Sequence, residues 1–319
     1  MPKYVMLPTL SEEERGWVER LRAQFPSFEI ATPDDSEAAE ALVDADGAYG
    51  WIPPEMLRGA EKLKWLQNPF AGPFEGYYYA ELIEHPVTIS NPRGIYSDHI
   101  AHHILMFLLA LSRGLPYWVD AQRAGTWDKG ARKRGYVNVA GSTVLINGVG
   151  GIGAEAARLC AALGARVIGI EPRPEHDSPA EVHGLEDLDR LLPEADFVVT
   201  TVPHTPETEG MWNAARFAAM KPSAYFINIG RGMTCRLDDL VAALEAGAIA
   251  GAGLDVFEVE PLPEGHPLWS MENVLITPHI AVAEAADLSE RRFAIVAENL
   301  QRFLNGREFM NVVDKAKWY

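Results

Sequence analysis

The stretch running from Thr143 to Gly164, "TVLINGVGGIGAEAARLCAALG", constrains the fold more tightly than any other part of the chain. A run of residues that favour extended backbone leads straight into Gly148, Gly150 and Gly153, and these open a segment whose apolar residues recur at helical spacing. Strand, tight turn and helix in immediate succession make the first half of a βαβ unit, which commits this region to a parallel sheet flanked by helices. Each glycine has a different reason to be there. Gly148 can make the turn, Gly150 can let a ligand approach the backbone, and Gly153 can let helix and strand pack closely, with Gly151 and Ile152 completing the loop. The helix start beyond them offers unpaired N–H groups and the positive end of a dipole, a place for a pyrophosphate. A glycine-rich turn alone would have no such consequence, so its neighbours decide.

They favour a dinucleotide. Glu171 ends the next strand-like run, "RVIGIE". An acid there accepts hydrogen bonds from the adenosine ribose and repels a 2′-phosphate, which points to NAD rather than NADP. Arg173 pulls the other way: its guanidinium could meet a 2′-phosphate if Glu171 turned aside, so NADP stays possible.

The alternation continues beyond the glycines. Strand-like runs "ARVIGI", "DFVVTT", "AYFINIG", "GAGLDV" and "NVLITPHI" join "TVLING", and between them lie helical "LEDLDRLLP", "AARFAAM" and "LDDLVAALEAG". Six strands with intervening helices describe a doubly wound dinucleotide-binding domain. Upstream, "KYVMLP", the helical "SEEERGWVERLRAQF", then Ala48-Tyr49, "LKWLQ" and "PVTIS" predict a second open parallel sheet. A helix is expected from about Ser97 to Ser112, with Ser97 as N-cap and Arg113-Gly114 closing it, and a last one from about Glu284 to Leu304. A length of 319 residues suits two cores. The expected fold is α/β with two doubly wound parallel-sheet domains. A flavodoxin-like substrate domain takes residues 1–98, an inserted Rossmann domain takes 99–279, and a C-terminal helix at 280–319 returns to the first.

Charge and composition exclude other classes. A formal charge of −17 disfavours nucleic acid and anionic membranes, so an anionic substrate must be held by local cations against the overall field. The longest apolar run, "HIAHHILMFLLALSRG", is too short for a bilayer and carries histidines, which suits a buried helix. The amino terminus lacks an apolar core behind a basic start, so no secretory signal is expected. Cys160 and Cys235 show neither CxxC nor metal-ligand spacing. No disulfide framework or metal site is expected, and a reducing, cytoplasmic location is.

Three successive strand ends carry the candidate chemistry. "NIGRGMTCRLDDL" leaves Arg231 at a carboxyl edge, "LDVFEVEPLPEG" presents Asp255, Glu258 and Glu260, and "LITPHI" presents His279. In an open α/β sheet that edge faces the ligand crevice. Arginine offers a planar, permanently charged fork to a carboxylate. A histidine exchanges protons near neutrality, and a neighbouring carboxylate fixes its ring and favours the protonated form. A cation that binds and polarises an oxo acid, with a proton donor for the developing alkoxide, is what carbonyl reduction by hydride requires.

With these motifs in place, the chain resembles the NAD-dependent D-2-hydroxyacid dehydrogenase family. The glycine fingerprint, "N-x-G-R-G", "D-V-F-E-x-E-P" and "T-P-H" occur here in the family's order, and "NPRGIYSDHIAHHILMFLLALSR" extends the likeness ahead of the cofactor region. The resemblance implies that Arg231 binds the substrate carboxylate and carbonyl, His279 donates the proton, Glu260 is its partner, and Asp255 holds the nicotinamide carboxamide. It counts Pro203 among the cofactor-binding residues. In the first domain it equates "NPFAGPFEG" with a substrate loop whose backbone amides at Ala71 and Gly72 meet the carboxylate, although a plain Gly-Pro turn reads the same. The chain departs from the family at His102, where an acid is common, and at Phe70 and Pro73. The histidine pair His102-His103 on an apolar helix also suits a packing role.

The implied reaction interconverts 2-oxo and D-2-hydroxy acids. Glyoxylate, hydroxypyruvate and pyruvate-like or branched acids stay open, and Phe70, Phe74, Tyr78 and Trp269 hint at room for an apolar side chain. Phosphoglycerate fits less well, given the acidity and a chain ending at Tyr319. Alternatives are an NADP(H)-using glyoxylate/hydroxypyruvate reductase, formate or phosphite dehydrogenase, for which Glu260 argues against formate, and an NAD-sensing protein similar to the family's corepressors. The resemblance also implies a homodimer, with "LPYWVDAQRAGTWDKG" reaching the partner and Trp118 and Trp127 suited to an interface.

Overall fold

The computed structural model describes residues 1–72, 76–127, 136–171, 178–283, 285 and 287–316. The chain divides into two compact units, one of Met1–Ile95 with Ala286–Tyr319 and one of Tyr96–Ala285. Sequence had placed the divisions at 98/99 and 279/280.

In the first unit, strands β1 (Lys3–Met6), β2 (Glu29–Ala31), β3 (Gly47–Tyr49), β4 (Trp65–Gln67) and β5 (Thr88–Ser90) form one sheet in the order β2-β1-β3-β4-β5. Every pairing is parallel, and this is the flavodoxin-like order. Helices α1 (Glu12–Gln24), α2 (Ala38–Leu42), α3 (Pro54–Leu57) and α4 (Ala80–Glu84) alternate with the strands, and the late helix α11 (Leu288–Leu304) joins the same unit. Side chains alternate across the sheet: Val5, Ala48, Leu66 and Ile89 fill one core, while Tyr4, Met6, Tyr49 and Trp65 fill the other with Phe293 and Leu300 of α11. Ser11 caps α1 in a reciprocal pair with Glu14, its hydroxyl accepting from the Glu14 amide at 3.2 Å.

The second unit opens with α5 (Ser97–Ser112) and α6 (Leu115–Arg123). Then come β6 (Thr143–Asn147), α7 (Gly151–Ala162), β7 (Arg166–Ile170), β8 (Glu181–His183), α8 (Leu188–Leu191) and β9 (Phe197–Thr200). The unit closes with α9 (Ala214–Ala219), β10 (Tyr225–Asn228), α10 (Leu237–Glu245), β11 (Gly251–Leu254) and β12 (Val274–Ile276). The sheet runs β12-β11-β10-β9-β6-β7-β8, all parallel, so the chain reverses its direction of growth beside β6. That reversal is where a doubly wound sheet opens its ligand crevice. Burial on both faces explains the unbroken apolar runs: Leu145, Ile168, Val198 and Phe226 face one core, and Val144, Ile146, Val199 and Ile227 the other.

Four local expectations need correction. β2 and β8 are strands that sequence reading left out: each spans three residues and includes a Glu, too little for an apolar period to show. Among the described residues the sheet of the second unit therefore has seven strands rather than six. Ser97 is the first helical residue of α5, not its N-cap; Tyr96 takes the cap position with no side-chain bond. The last helix begins at Leu288, because Asp287 occupies its N-cap. Among the described residues no single helix is long and apolar enough to cross a membrane. The apolar α5 instead buries Ala101, Ile104, Phe107, Leu108 and Leu111 in its unit's core.

Candidate active site

Strand register builds the site. Asn147 of β6 pairs with Thr200 of β9, Thr200 with Asn228 of β10, Asn228 with Leu254 of β11, and Leu254 with Ile276 of β12. Five neighbouring strands thus end level, and whatever follows each end is delivered to one edge.

After β6 comes the glycine loop. Gly148 has φ +96°, a conformation side chains rarely adopt, and its carbonyl accepts from the Thr201 hydroxyl at 2.6 Å. A Cβ on Gly153 would stand 1.9 Å from the Gly148 carbonyl oxygen, so only glycine lets α7 start this close to β6. At Gly150, the N-cap of α7, nothing lies within 4 Å of a would-be Cβ. One glycine demanded by packing, and another with open space beside a helix N-terminus, fit a dinucleotide pyrophosphate. Glu171 follows β7, and its carboxylate accepts from the Val149 amide of the loop at 3.2 Å. Arg173 lies outside the described residues. Pro203, exposed beyond β9, accepts from the Thr208 hydroxyl through its carbonyl at 2.7 Å.

After β10 the backbone turns sharply. Asn228 is buried; its side-chain oxygen accepts from the Gly230 amide at 3.1 Å and its amide donates to the Arg231 carbonyl at 3.3 Å. Thr234 donates its hydroxyl to that same carbonyl at 2.7 Å. A Cβ on Gly232 would fall 1.8 Å from the Phe257 carbonyl oxygen, so this turn packs directly on the segment that carries Glu260. Burial pulls the half-buried Arg231 guanidinium below its usual pKa, and the nearby negative charge of Glu260 offsets part of that. The group stays charged regardless.

After β11 and β12 the remaining members meet. Glu260 accepts from the Phe257 amide at 3.0 Å with one oxygen, and its other oxygen lies 2.8 Å from His279 Nδ1. A carboxylate can only accept, so Nδ1 carries the hydrogen and Nε2 is the nitrogen left for chemistry. His279 itself sits at φ +54°, a strained position for a residue with a side chain. Its amide donates to the Asp255 carbonyl at 2.8 Å. The Asp255 carboxylate is buried and accepts from the Ile280 amide at 2.9 Å, the Ala281 amide at 3.1 Å and the Thr277 hydroxyl at 2.5 Å. It therefore pins the loop that holds His279 in its strained form.

The structure thus pairs Glu260 with His279 and leaves Arg231 near enough to Glu260 to respond to its charge. Glu258 does not join them: its carboxylate accepts from the Leu237 amide at 2.7 Å, at the start of α10. His102 is exposed, whereas His103 points inward and places Nε2 2.9 Å from the Thr277 hydroxyl. Sequence reading left the roles of both histidines open, and their different environments come from the face of α5 each occupies. Ala71 and Gly72 belong to the first unit, where the Asn91 side chain donates to the Ala71 carbonyl at 3.3 Å and Asn68 accepts from the Phe70 amide at 2.9 Å. Phe70 and Trp269 are exposed and Tyr78 is buried; Pro73 and Phe74 lie outside the described residues. Trp127 is exposed, but Trp118 is half-buried and donates to the Tyr136 hydroxyl at 3.0 Å.

The fold and the glycine loop define a dinucleotide-binding protein, and the His279–Glu260 pair at the same sheet edge suits an oxidoreductase. The family profile described as "D-isomer specific 2-hydroxyacid dehydrogenase, NAD binding domain" matches residues 105–281. A glyoxylate reductase of Thermococcus onnurineus is 36% identical over 282 residues, which cover 82% of this chain and 81% of that one. A glyoxylate/hydroxypyruvate reductase B of Klebsiella pneumoniae is 31% identical over 326 residues, 98% of each chain. The crystal structure of a D-isomer specific 2-hydroxyacid dehydrogenase of Xanthobacter autotrophicus, solved with NADPH and MES, superposes with a TM-score of 0.84 at 30% identity and covers the whole of both chains. The chain belongs to the D-isomer specific 2-hydroxyacid dehydrogenase family. It is an NAD(P)-dependent oxidoreductase acting on 2-oxo and 2-hydroxy acids.

Proposed function

We propose that this chain reduces small, unphosphorylated 2-oxo acids, glyoxylate and hydroxypyruvate first among them, to D-2-hydroxy acids. The observation that carries the reading is the His279–Glu260 pair at 2.8 Å, beside a guanidinium that feels the charge of Glu260. Arg231 holds the substrate carboxylate and draws electron density toward the carbonyl oxygen. His279 holds a proton at Nε2 and passes it to that oxygen, and Glu260 keeps the ring turned and balances the imidazolium. Ala71 and Gly72, on a first-unit loop steadied by Asn68 and Asn91, are assigned to substrate binding in this reading. The names carried by the relatives support the choice of substrates.

Gly148, Gly150, Gly151, Ile152 and Gly153 are assigned to the dinucleotide, with Glu171, Pro203 and Asp255 completing its site. When bound, NAD(P)H supplies the hydride. NADH is the preferred form in this reading, because the Glu171 carboxylate stands at the loop where a 2′-phosphate would bring more negative charge. We further assign the protein to the cytoplasm, where its buried thiols Cys160 and Cys235 stay reduced, and to a homodimer that covers Met106, Leu109 and Trp127.

The test is consumption of NADH and NADPH against a panel of 2-oxo acids, with His279→Ala alongside. Turnover on glyoxylate or hydroxypyruvate, reduced about 10²-fold or more in the variant while NADH binding persists, is expected. Tight NADH binding without turnover on any acid would overturn the reading in favour of a binding protein.

A further inference from the structure

We infer that His103, on α5, is a positioning residue for His279, acting through Thr277 and Asp255. This rests on the reading of His279 as proton donor. The four residues come from three separate parts of the second unit, and their hydrogen bonds have a forced direction. Thr277 Oγ1 lies 2.5 Å from Asp255 Oδ1, and a carboxylate can only accept, so the single hydroxyl proton goes to Asp255. The hydroxyl oxygen is left as acceptor, and His103 Nε2, 2.9 Å away, must donate to it. His103 Nε2 is 3.7 Å from Asp255 Oδ1, too far to bypass the threonine.

The chain therefore runs from His103 Nε2–H to Thr277 Oγ1–H to Asp255. At its end the carboxylate collects the Ile280 and Ala281 amides and the loop holds His279 at φ +54°. Strain of that kind persists only where surrounding bonds over-determine it. His103 is itself fixed: its ring meets Phe107 edge-on at 4.9 Å, one helical turn along α5. Burial pulls its pKa below the ordinary histidine value, against the opposing pull of Asp255, and so favours the neutral ring. Without that donor the Thr277 hydroxyl is free to rotate away from Asp255, and the loop loses the bond that selects its geometry.

A positioning role predicts a loss in kcat rather than in binding. His103→Leu and Thr277→Val should each lower kcat about tenfold, since small misplacements of a catalytic group carry such costs, with KM for the oxo acid and NADH affinity within about threefold of wild type. His103→Gln, which can donate from nearly the Nε2 position, should recover most of the loss. The double variant His103→Leu/Thr277→Val should be no slower than Thr277→Val alone, because both break one chain. His103→Phe, which keeps a ring against Phe107, replaces His103→Leu if that variant does not fold. Imidazole ¹⁵N shifts of the unmodified protein give an independent measure, and a protonated Nε2 on His103 is expected. A wild-type kcat in His103→Leu, no recovery in His103→Gln, multiplicative losses in the double variant, or a protonated Nδ1 would each overturn the inference. Retained turnover in His279→Ala would instead overturn the reading beneath it.

Discussion

Replacing Gly150 and Gly153 separately by alanine distinguishes a cofactor cradle from a turn. The structure gives the two changes opposite characters. A Cβ at position 153 would sit 1.9 Å from the Gly148 carbonyl oxygen and 3.2 Å from Ile146 Cγ2. An ordinary carbon–oxygen contact is about 3.3 Å, so backbone must move by more than about 1 Å in a packed interface. Overpacking of this severity costs about 3 kcal/mol, the upper part of the usual range. At about 2–4 °C per kcal/mol for a unit of this size, Gly153→Ala should melt about 6–12 °C below wild type.

Position 150 has nothing within 4 Å, and its φ of −74° and ψ of −161° suit any residue. A lost N-cap glycine costs a few tenths to about 1 kcal/mol, and a stiffer unfolded chain offsets a similar amount. Gly150→Ala should therefore melt within about 3 °C of wild type while its methyl fills the approach to the α7 N-terminus. NADH affinity should fall at least about tenfold, equivalent to about 1.4 kcal/mol. Thermal denaturation with and without NADH, together with a fluorescence titration, reads both quantities. Wild-type NADH affinity in Gly150→Ala, or equal melting temperatures for the two variants, would refute the assignment of the loop.

Further outcomes follow from the same geometry. Arg231→Lys should lower kcat/KM about 10²-fold, because a point charge cannot replace a planar fork on a carboxylate; steady-state kinetics on the oxo acid decide. Glu260→Gln keeps an acceptor for His279 Nδ1 but loses the balancing charge, and kcat should drop at least about tenfold with NADH binding unchanged in titration. Glu171→Ala should shift the ratio of kcat/KM toward NADPH, measured with both cofactors on one substrate. Burial pushes the Cys160 thiol up to about 11 and the Cys235 thiol also upward, so thiolate is scarce at neutral pH. A thiol reagent at pH 8 should modify neither cysteine in the native protein and both once it is denatured.

Much of this was legible in the sequence because the relevant signals are local. Strands buried on both faces must be apolar throughout, as "TVLIN" and "FVVT" are, and helices packed on one face must repeat their apolar residues. Gly148, Gly150 and Gly153 are separated by a spacing that one turn imposes. Arg231 and His279 stand beyond strand ends, and knowing that parallel strands end level is enough to bring them to one edge. The short strands β2 and β8 escaped because three residues joined by backbone bonds to a neighbour need no pattern of their own.

What the sequence determined by itself is the order of elements, the loop for a dinucleotide and the residue types at the sheet edge, since each follows from steric and apolar preferences within a few residues. Strand ends and residue types left Glu258 and Glu260 alike; the motif resemblance pointed to Glu260, and only tertiary structure supplied the physical reason. Glu258 and Glu260 are two residues apart and chemically alike, yet one ties down α10 and the other meets His279, because one faces the Leu237 amide at the helix start and the other the imidazole beyond β12. His102 and His103 part in the same way, one toward solvent and one toward Thr277. A hydrogen bond is fixed by where its partner lies in space, and neighbours along a chain carry no record of that.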